Sequence, residues 1–387
     1  MESKEILLSI LIPTKDRYEC LLPVLTACLK YIPSDKFEII VQDNSNDNTL
    51  IQNYLSETKN EKLKYFYTPL NLSITENTIL AVANAKGKYI TFIGDDDLVS
   101  PFIIDVVDFM VQKNISCLIY KPAHYWWDSV EFSNPSTYNQ KCALWMVDDI
   151  SIEPNELDAK KELDFVVQSG AVSYFNLPRL YHGIVKMEVL EMIKQKTGTY
   201  LPGGCPDISF ATALALVVDT CHYIHYPVTV FGASKNSGGG MSARNAHFKT
   251  FEEATFVSDK TKENWDEFIP RIWSAHTWYA NSVQEVLKAF KVNRNINFIE
   301  FYGSMLAYES NLNSYLKPLI HKYCKGNLLR YLQIIKVYFK KLAGIYYRKR
   351  KFEKGTVGYN VKLAYTVDQC MLVLSEETNL FSKAKAV

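Results

Sequence analysis

The chain has 387 residues, 43 Lys and Arg against 42 Asp and Glu, and 48% hydrophobic residues. That composition excludes a disordered or collagen-like chain, and a net charge of +1 gives no overall pull toward nucleic acid. Its eight cysteines are scattered without a CxxC pair, which argues against a zinc cage or a disulfide framework and for a reducing, cytoplasmic setting. The N-terminus lacks a signal-peptide layout and no run reaches about 18 apolar residues, so no membrane span is expected.

In chain order, Ile6 to Ile12 is a short branched-aliphatic run and predicts a buried strand, ending at Pro13-Thr14-Lys15-Asp16-Arg17. A helix pattern follows through Leu21, Leu25 and Leu29. Phe37 to Val41 predicts a second strand, closed by a polar loop that opens with Gln42-Asp43. A helix over Thr49 to Ser56 leads to a strand over Leu63 to Tyr67, then Asn71 and a helix over Thr75 to Ala85. Tyr89 to Ile93 is the fourth strand, and it stops at Gly94 and three aspartates, Asp95, Asp96 and Asp97.

Alternating strands and helices predict a mostly parallel sheet flanked by helices, in which ligands sit beyond the carboxyl ends of the strands. The loops carrying Arg17, Asp43, Asn71 and the aspartates then converge on one edge. Adjacent carboxylates repel unless a cation sits among them, and Mg²⁺ or Mn²⁺ accepts one or two carboxylates plus phosphate oxygens. The run reads either as such a metal–phosphate site or as a solvated acidic turn.

Beyond Pro101, the pattern predicts a helix over Phe102 to Gln112 and a strand over Ser116 to Tyr120. An irregular region to about Asp158 and a helix near Pro154 to Ser169 come next. Arg179 to Val185 reads as a strand, Met187 to Thr197 as a helix, Ile208 to Val218 as a helix with Asp207 at its start, and His222 to Phe231 as one strand. Ser234 to Arg244 is a Gly/Ser loop, either a lid or a linker. It divides a first domain, residues 1–235, from a helical C-terminal domain, residues 236–387.

The ordered segments ILIPTKDR, EIIVQDNSNDNT, NLSITENTILAVANAKGKYITFIGDDDLVSP and PDISFATALAL resemble the family 2 glycosyltransferases of GT-A fold, bacterial enzymes that build surface polysaccharides. The resemblance covers roughly the first 235 residues. It implies a nucleotide-sugar donor, a UDP-sugar by default, and an inverting transfer to a glycan or lipid-linked acceptor. It also implies that Pro13, Thr14 and Arg17 approach the nucleotide base and that Asp43 meets uracil or ribose. Asn71 and Asn77 line the nucleotide, Asp96 holds Mn²⁺ or Mg²⁺, and Asp95 and Asp97 share the donor and metal contacts. Asp207 matches the family's base; by itself it is also an ordinary first-turn helix residue. Two positions depart from the pattern: Gly94 stands at the first position of the aspartate motif, and Glu76 stands where many members carry Arg. Lys15 or Lys86 is the available substitute for that Arg.

The resemblance also brings His182 toward the acceptor. Trp126 and Trp127 offer either stacking faces for a sugar or core filling. As lid residues, Ser237, Arg244 and His247 would contact phosphate. The helix Leu329 to Tyr347 with its basic extension to 351 is amphipathic, with Tyr331, Leu332, Ile335, Tyr338, Phe339, Leu342 and Tyr346 on one face and Arg330, Lys336, Lys340 and Lys341 on the other. It is a candidate for peripheral contact with the inner face of a membrane, or else a plain surface helix. The other functions open to the chain are a sugar-nucleotide nucleotidyltransferase and a non-catalytic nucleotide-sugar or glycan binder. No nucleic-acid partner is expected, and homo-oligomerisation is open.

Overall fold

The structure is a computed structural model that describes residues 5–136, 139–244, 248–353 and 359–379. The first half folds as the alternation predicts. Strand β1 (Leu8–Thr14) leads to α1 (Tyr18–Tyr31), β2 (Phe37–Asp43), α2 (Thr49–Thr58), β3 (Leu63–Tyr67), α3 (Ile74–Asn84) and β4 (Tyr89–Phe92). β1 lies between β2 and β4, parallel to both, and β3 continues the parallel set. β1, β2 and β4 are buried almost throughout, which is why they read as unbroken apolar runs rather than alternating ones.

The segment after the aspartates differs from the expectation. Leu98–Val99 is a two-residue strand, β5, before α4 (Ile103–Gln112) and β6 (Cys117–Tyr120). The stretch expected to be irregular holds three strands, β7 (Ala123–Trp126), β8 (Ala143–Val147) and β9 (Ser151–Asp158), so the helix α5 starts only at Ala159 and ends at Gln168. Strand β10 (Gly183–Lys186), α6 (Met187–Thr197) and α7 (Pro206–Ala215) follow, α6 closing on Gly198 in the left-handed conformation. The single strand expected over His222 to Phe231 is two, β11 (Thr220–His225) and β12 (Thr229–Ala233), because Tyr226-Pro227 breaks the run between two sheets.

The larger sheet has the order β3-β2-β1-β4-β10-β6-β11-β9. β10 is antiparallel to both neighbours, and the sheet is otherwise mostly parallel. The Gly/Ser segment expected as a loop holds a short helix, α8 (Gly238–Ala243), and the region after it is mainly helical: α9 (Asp259–Glu263), α10 (Ala275–Ala289), α11 (Phe298–Tyr308), α12 (Asn313–Cys324) and α13 (Leu328–Glu353). The last described segment then returns to the first half. β13 (Tyr359–Leu363) pairs antiparallel with β8 at the edge of the second sheet, β13-β8-β7-β12-β5. α14 (Val367–Glu377) sits against α1, where Lys30 meets Asp368 at 2.7 Å.

Candidate active site

A cavity of about 660 Å³ opens at the carboxyl ends of β1 and β4. Pro13, Thr14, Lys15 and Arg17 line it from β1 and its loop, Asn77 from α3, and Asp95 and Asp96 from the acidic turn. Asp207 faces it from the first turn of α7, and the short helix α8 borders it. Of the residues expected to converge at the strand ends, Arg17, Asp95 and Asp96 line this pocket, and Asp43, Asn71 and Asp97 do not.

The three aspartates are not equivalent. Asp97 is fully buried and accepts from Gly94 N at 2.6 Å, Gly232 N at 2.7 Å and the Tyr181 hydroxyl at 3.1 Å. His182 Nε2 stands 3.1 Å from it. Burial works against its charge, but His182 and these donors outweigh that and hold its pKa below the usual value. Asp97 was expected as a metal ligand; its oxygens are instead occupied within the protein and it does not line the cavity. Asp95 accepts from the Thr14 hydroxyl at 2.7 Å and meets Arg17 Nη1 at 2.7 Å. Asp96 meets Arg17 Nη2 at 2.9 Å and accepts from Ser234 N at 2.9 Å.

Burial raises the pKa of both Asp95 and Asp96 even though Arg17 opposes it, Asp95 to about 7. Two buried carboxylates thus share one guanidinium. A carboxylate pair whose ionised forms burial disfavours fits a divalent cation, held by one or two carboxylates plus phosphate oxygens. Among the described residues no cluster of three or more His, Cys, Asp or Glu side chains could enclose an ion by itself.

Gly94 has a physical reason. A Cβ there would lie 3.1 Å from Asp97 Oδ2 and 3.4 Å from Asp96 Oδ1, so a side chain would crowd the turn that folds Asp97 back onto Gly94 N. Glu76, the other departure from the family pattern, closes a capping box with Ser73 at the start of α3. Of the two substitutes for the missing Arg, Lys15 lines the cavity and Lys86 does not.

Several residues expected at the site make contacts within the protein. Asp43 is fully buried and accepts from Tyr18 and Tyr65 hydroxyls at 2.5 and 2.8 Å, away from the cavity. Asn71 is exposed and accepts from Lys15 Nζ at 2.7 Å. Arg17, expected at the base, is committed to Asp95, Asp96 and Ser234 Oγ. Trp126 packs edge-on to Phe132, and Trp127 donates Nε1 to the Asp96 carbonyl at 2.8 Å; neither lines the cavity.

His182 lies behind Asp97 in the left-handed region at φ 51°, with Nδ1 2.7 Å from Thr229 Oγ1. Tyr181 rather than His182 borders the cavity. Ser237 caps α8 and contributes to the border, Arg244 does not, and His247 lies outside the described residues.

Asp207 is half-buried at the cavity wall behind Pro206, and burial pushes its pKa up to about 6, with His182 opposing and Asp97 reinforcing. The Tyr279 hydroxyl stands 3.4 Å from its Oδ2. α10 also fixes the turn before it: Glu285 accepts from Gly204 N at 2.8 Å and Ser282 Oγ from Cys205 N at 2.9 Å. Thr75 Oγ1 donates to Gly204 O from the other side at 2.5 Å. Phe256, Trp273, Trp278 and Tyr279 form an aromatic wall that sequence reasoning missed. The only signal was the aromatic richness after Ala246.

Residues 9–172 match the family model described as Glycosyl transferase family 2. No curated protein matches the chain. Among solved structures, S. aureus TarS residues 1–349 in complex with UDP-GlcNAc is 14% identical at a TM-score of 0.46, covering 93% of this chain and 97% of that one. The same part in complex with UDP is 14% identical at 0.42, with the same coverage. A further crystal structure of S. aureus TarS is 14% identical at 0.42, covering 86% of this chain and 54% of that chain, so the chain spans about half its length. The residues that match the glycosyltransferase family 2 model run from β1 past α5 and include the acidic turn, and they end before α7 and Asp207.

Proposed function

We propose that the protein is an inverting glycosyltransferase that moves a sugar from a nucleoside-diphosphate donor, a UDP-sugar by default, to a hydroxyl of a glycan or lipid-linked acceptor. The observation that carries this is the opposition of two kinds of acid across one cavity. On the β4 side, Asp95 and Asp96 share the single guanidinium of Arg17. On the α7 side, Asp207 has a pKa near 6, suited to taking a proton at neutral pH.

Asp96, with Asp95 beside it, is the holder of a Mn²⁺ or Mg²⁺ ion shared with the donor diphosphate. Bound there, that ion would offset the charge on the leaving nucleoside diphosphate. Asp207 accepts the acceptor hydroxyl proton as its oxygen bonds to the anomeric carbon and the bond from that carbon to the diphosphate oxygen breaks. The two events on opposite faces of the sugar invert its configuration. Lys15 and Asn77 border the space for the nucleotide, and the aromatic wall from Phe256 to Tyr279 offers ring faces to a sugar.

The test is to incubate the purified chain with a panel of nucleotide sugars, glycan acceptors and Mn²⁺ or Mg²⁺ and measure release of nucleoside diphosphate. Metal-dependent release that Asp207→Asn abolishes supports the reading. Release of pyrophosphate from a nucleoside triphosphate and a sugar phosphate, or nucleotide binding without turnover of any donor, overturns it.

A further inference from the structure

The helix α13 has two apolar faces, and only one is covered. Ile334 and Val337 are buried against α11, where Gly303 permits the approach: a Cβ on Gly303 would lie 2.5 Å from Val337. Lys341 turns to this side, 3.6 Å from Glu300 on α11. Arg330, also expected on the solvent face, donates to the Tyr323 carbonyl at 2.8 Å.

The opposite face is exposed over its whole length. Leu328, Leu332, Ile335, Phe339 and Tyr346 recur at three- and four-residue steps with one gap, and each is 47% to 68% exposed. Isolated exposed apolar residues are ordinary, but a continuous stripe on one helix needs a partner.

Charge selects that partner. From Leu328 to Lys351 the helix carries eight Lys and Arg and no acidic residue, in a chain whose net charge is +1. Lys336 and Lys340 flank the stripe, and Arg348 to Lys351 cluster at its end. A second copy of the helix would bring like charges together. Nucleic acid would leave Leu332 and Phe339 in water.

We propose that this face of α13 lies on an anionic lipid surface. The leucines, Phe339 and Tyr346 enter the headgroup boundary, and the Lys and Arg side chains extend to lipid phosphates. Among the described residues no helix is long and apolar enough to cross a membrane, so the contact is peripheral.

The experiment is co-sedimentation of the full chain with vesicles, without donor or acceptor, so that its result is independent of the proposed transfer activity. Vesicles of phosphatidylcholine alone are compared with vesicles containing phosphatidylglycerol, at 50 and 500 mM salt. Binding is expected only to the anionic vesicles and weakens at high salt.

Lys336→Glu with Lys340→Glu lowers the vesicle affinity roughly tenfold or more. Leu332→Ser with Phe339→Ser abolishes it; both positions are exposed, and an unchanged thermal midpoint verifies the fold. Equal binding to neutral vesicles, or no loss in either double variant, overturns the proposal. So does an oligomer in solution without lipid that Leu332→Ser with Phe339→Ser dissociates.

Discussion

Asp97 in the acidic turn after β4 and Asp207 in the first turn of α7 both stand near one cavity, and their surroundings treat the charge in opposite ways. At the turn, Asp97 is surrounded by donors that lower its pKa, whereas burial raises those of Asp95 and Asp96 although they share Arg17. At α7, Asp207 has one long contact to Tyr279 and a raised pKa. A carboxylate fixed in its ionised form can orient a backbone or hold a cation, but it is a poor proton acceptor; one poised near 6 can take a proton at neutral pH.

The sharpest way to break this comparison is Asp207→Asn. Transfer should fall by roughly 10²- to 10⁴-fold, while nucleoside-diphosphate affinity by titration calorimetry stays within a few-fold. Equal loss of both would place Asp207 in binding instead. Asp96→Ala should do the reverse, weakening donor affinity as well as turnover and removing the response to added Mn²⁺, since it also leaves Arg17 with Asp95 alone.

Asp97→Ala tests the structural member. It strands the buried Gly232 N–H, the part-buried Gly94 N–H and the His182 ring, and should cost roughly 3 kcal/mol, read as a lowered denaturation midpoint. A variant of wild-type stability would show that its donors find other partners.

The pH profile follows from Asp207. With Asp207 as the proposed base, protonated below about pH 6, the rate should rise with pH through that value and level off above it. The Tyr279 contact lowers the Asp207 pKa, so Tyr279→Phe should move the rising limb to higher pH with little change in its plateau. A limb that stays in place would show that Tyr279 does not tune the base.

The legibility of the sequence follows the same division. The first four strands were readable because each is a short apolar run bounded by polar loops, and the loops fall on one sheet edge by topology alone. β7, β8 and β9 were not, because they lie in a stretch where aromatics, Asn and Pro interrupt any period. Asp207 was found through resemblance. Nothing local marks Tyr279 as its neighbour, because the two are 72 residues apart and meet only when α10 packs on α7. Asp43 was singled out by its strand-end position, and nothing local marks Tyr18 and Tyr65, whose hydroxyls it accepts from in the fold.

The return of β13 has a consequence for synthesis. β8, Ala-Leu-Trp-Met-Val and buried throughout, has β7 on one side and only β13 on the other. Until the ribosome has delivered Tyr359–Leu363, more than two hundred residues later, that apolar strand is an open edge able to pair with another nascent chain. Loss of residues from 359 onward would therefore show first as aggregation during expression, before any effect on catalysis could be measured.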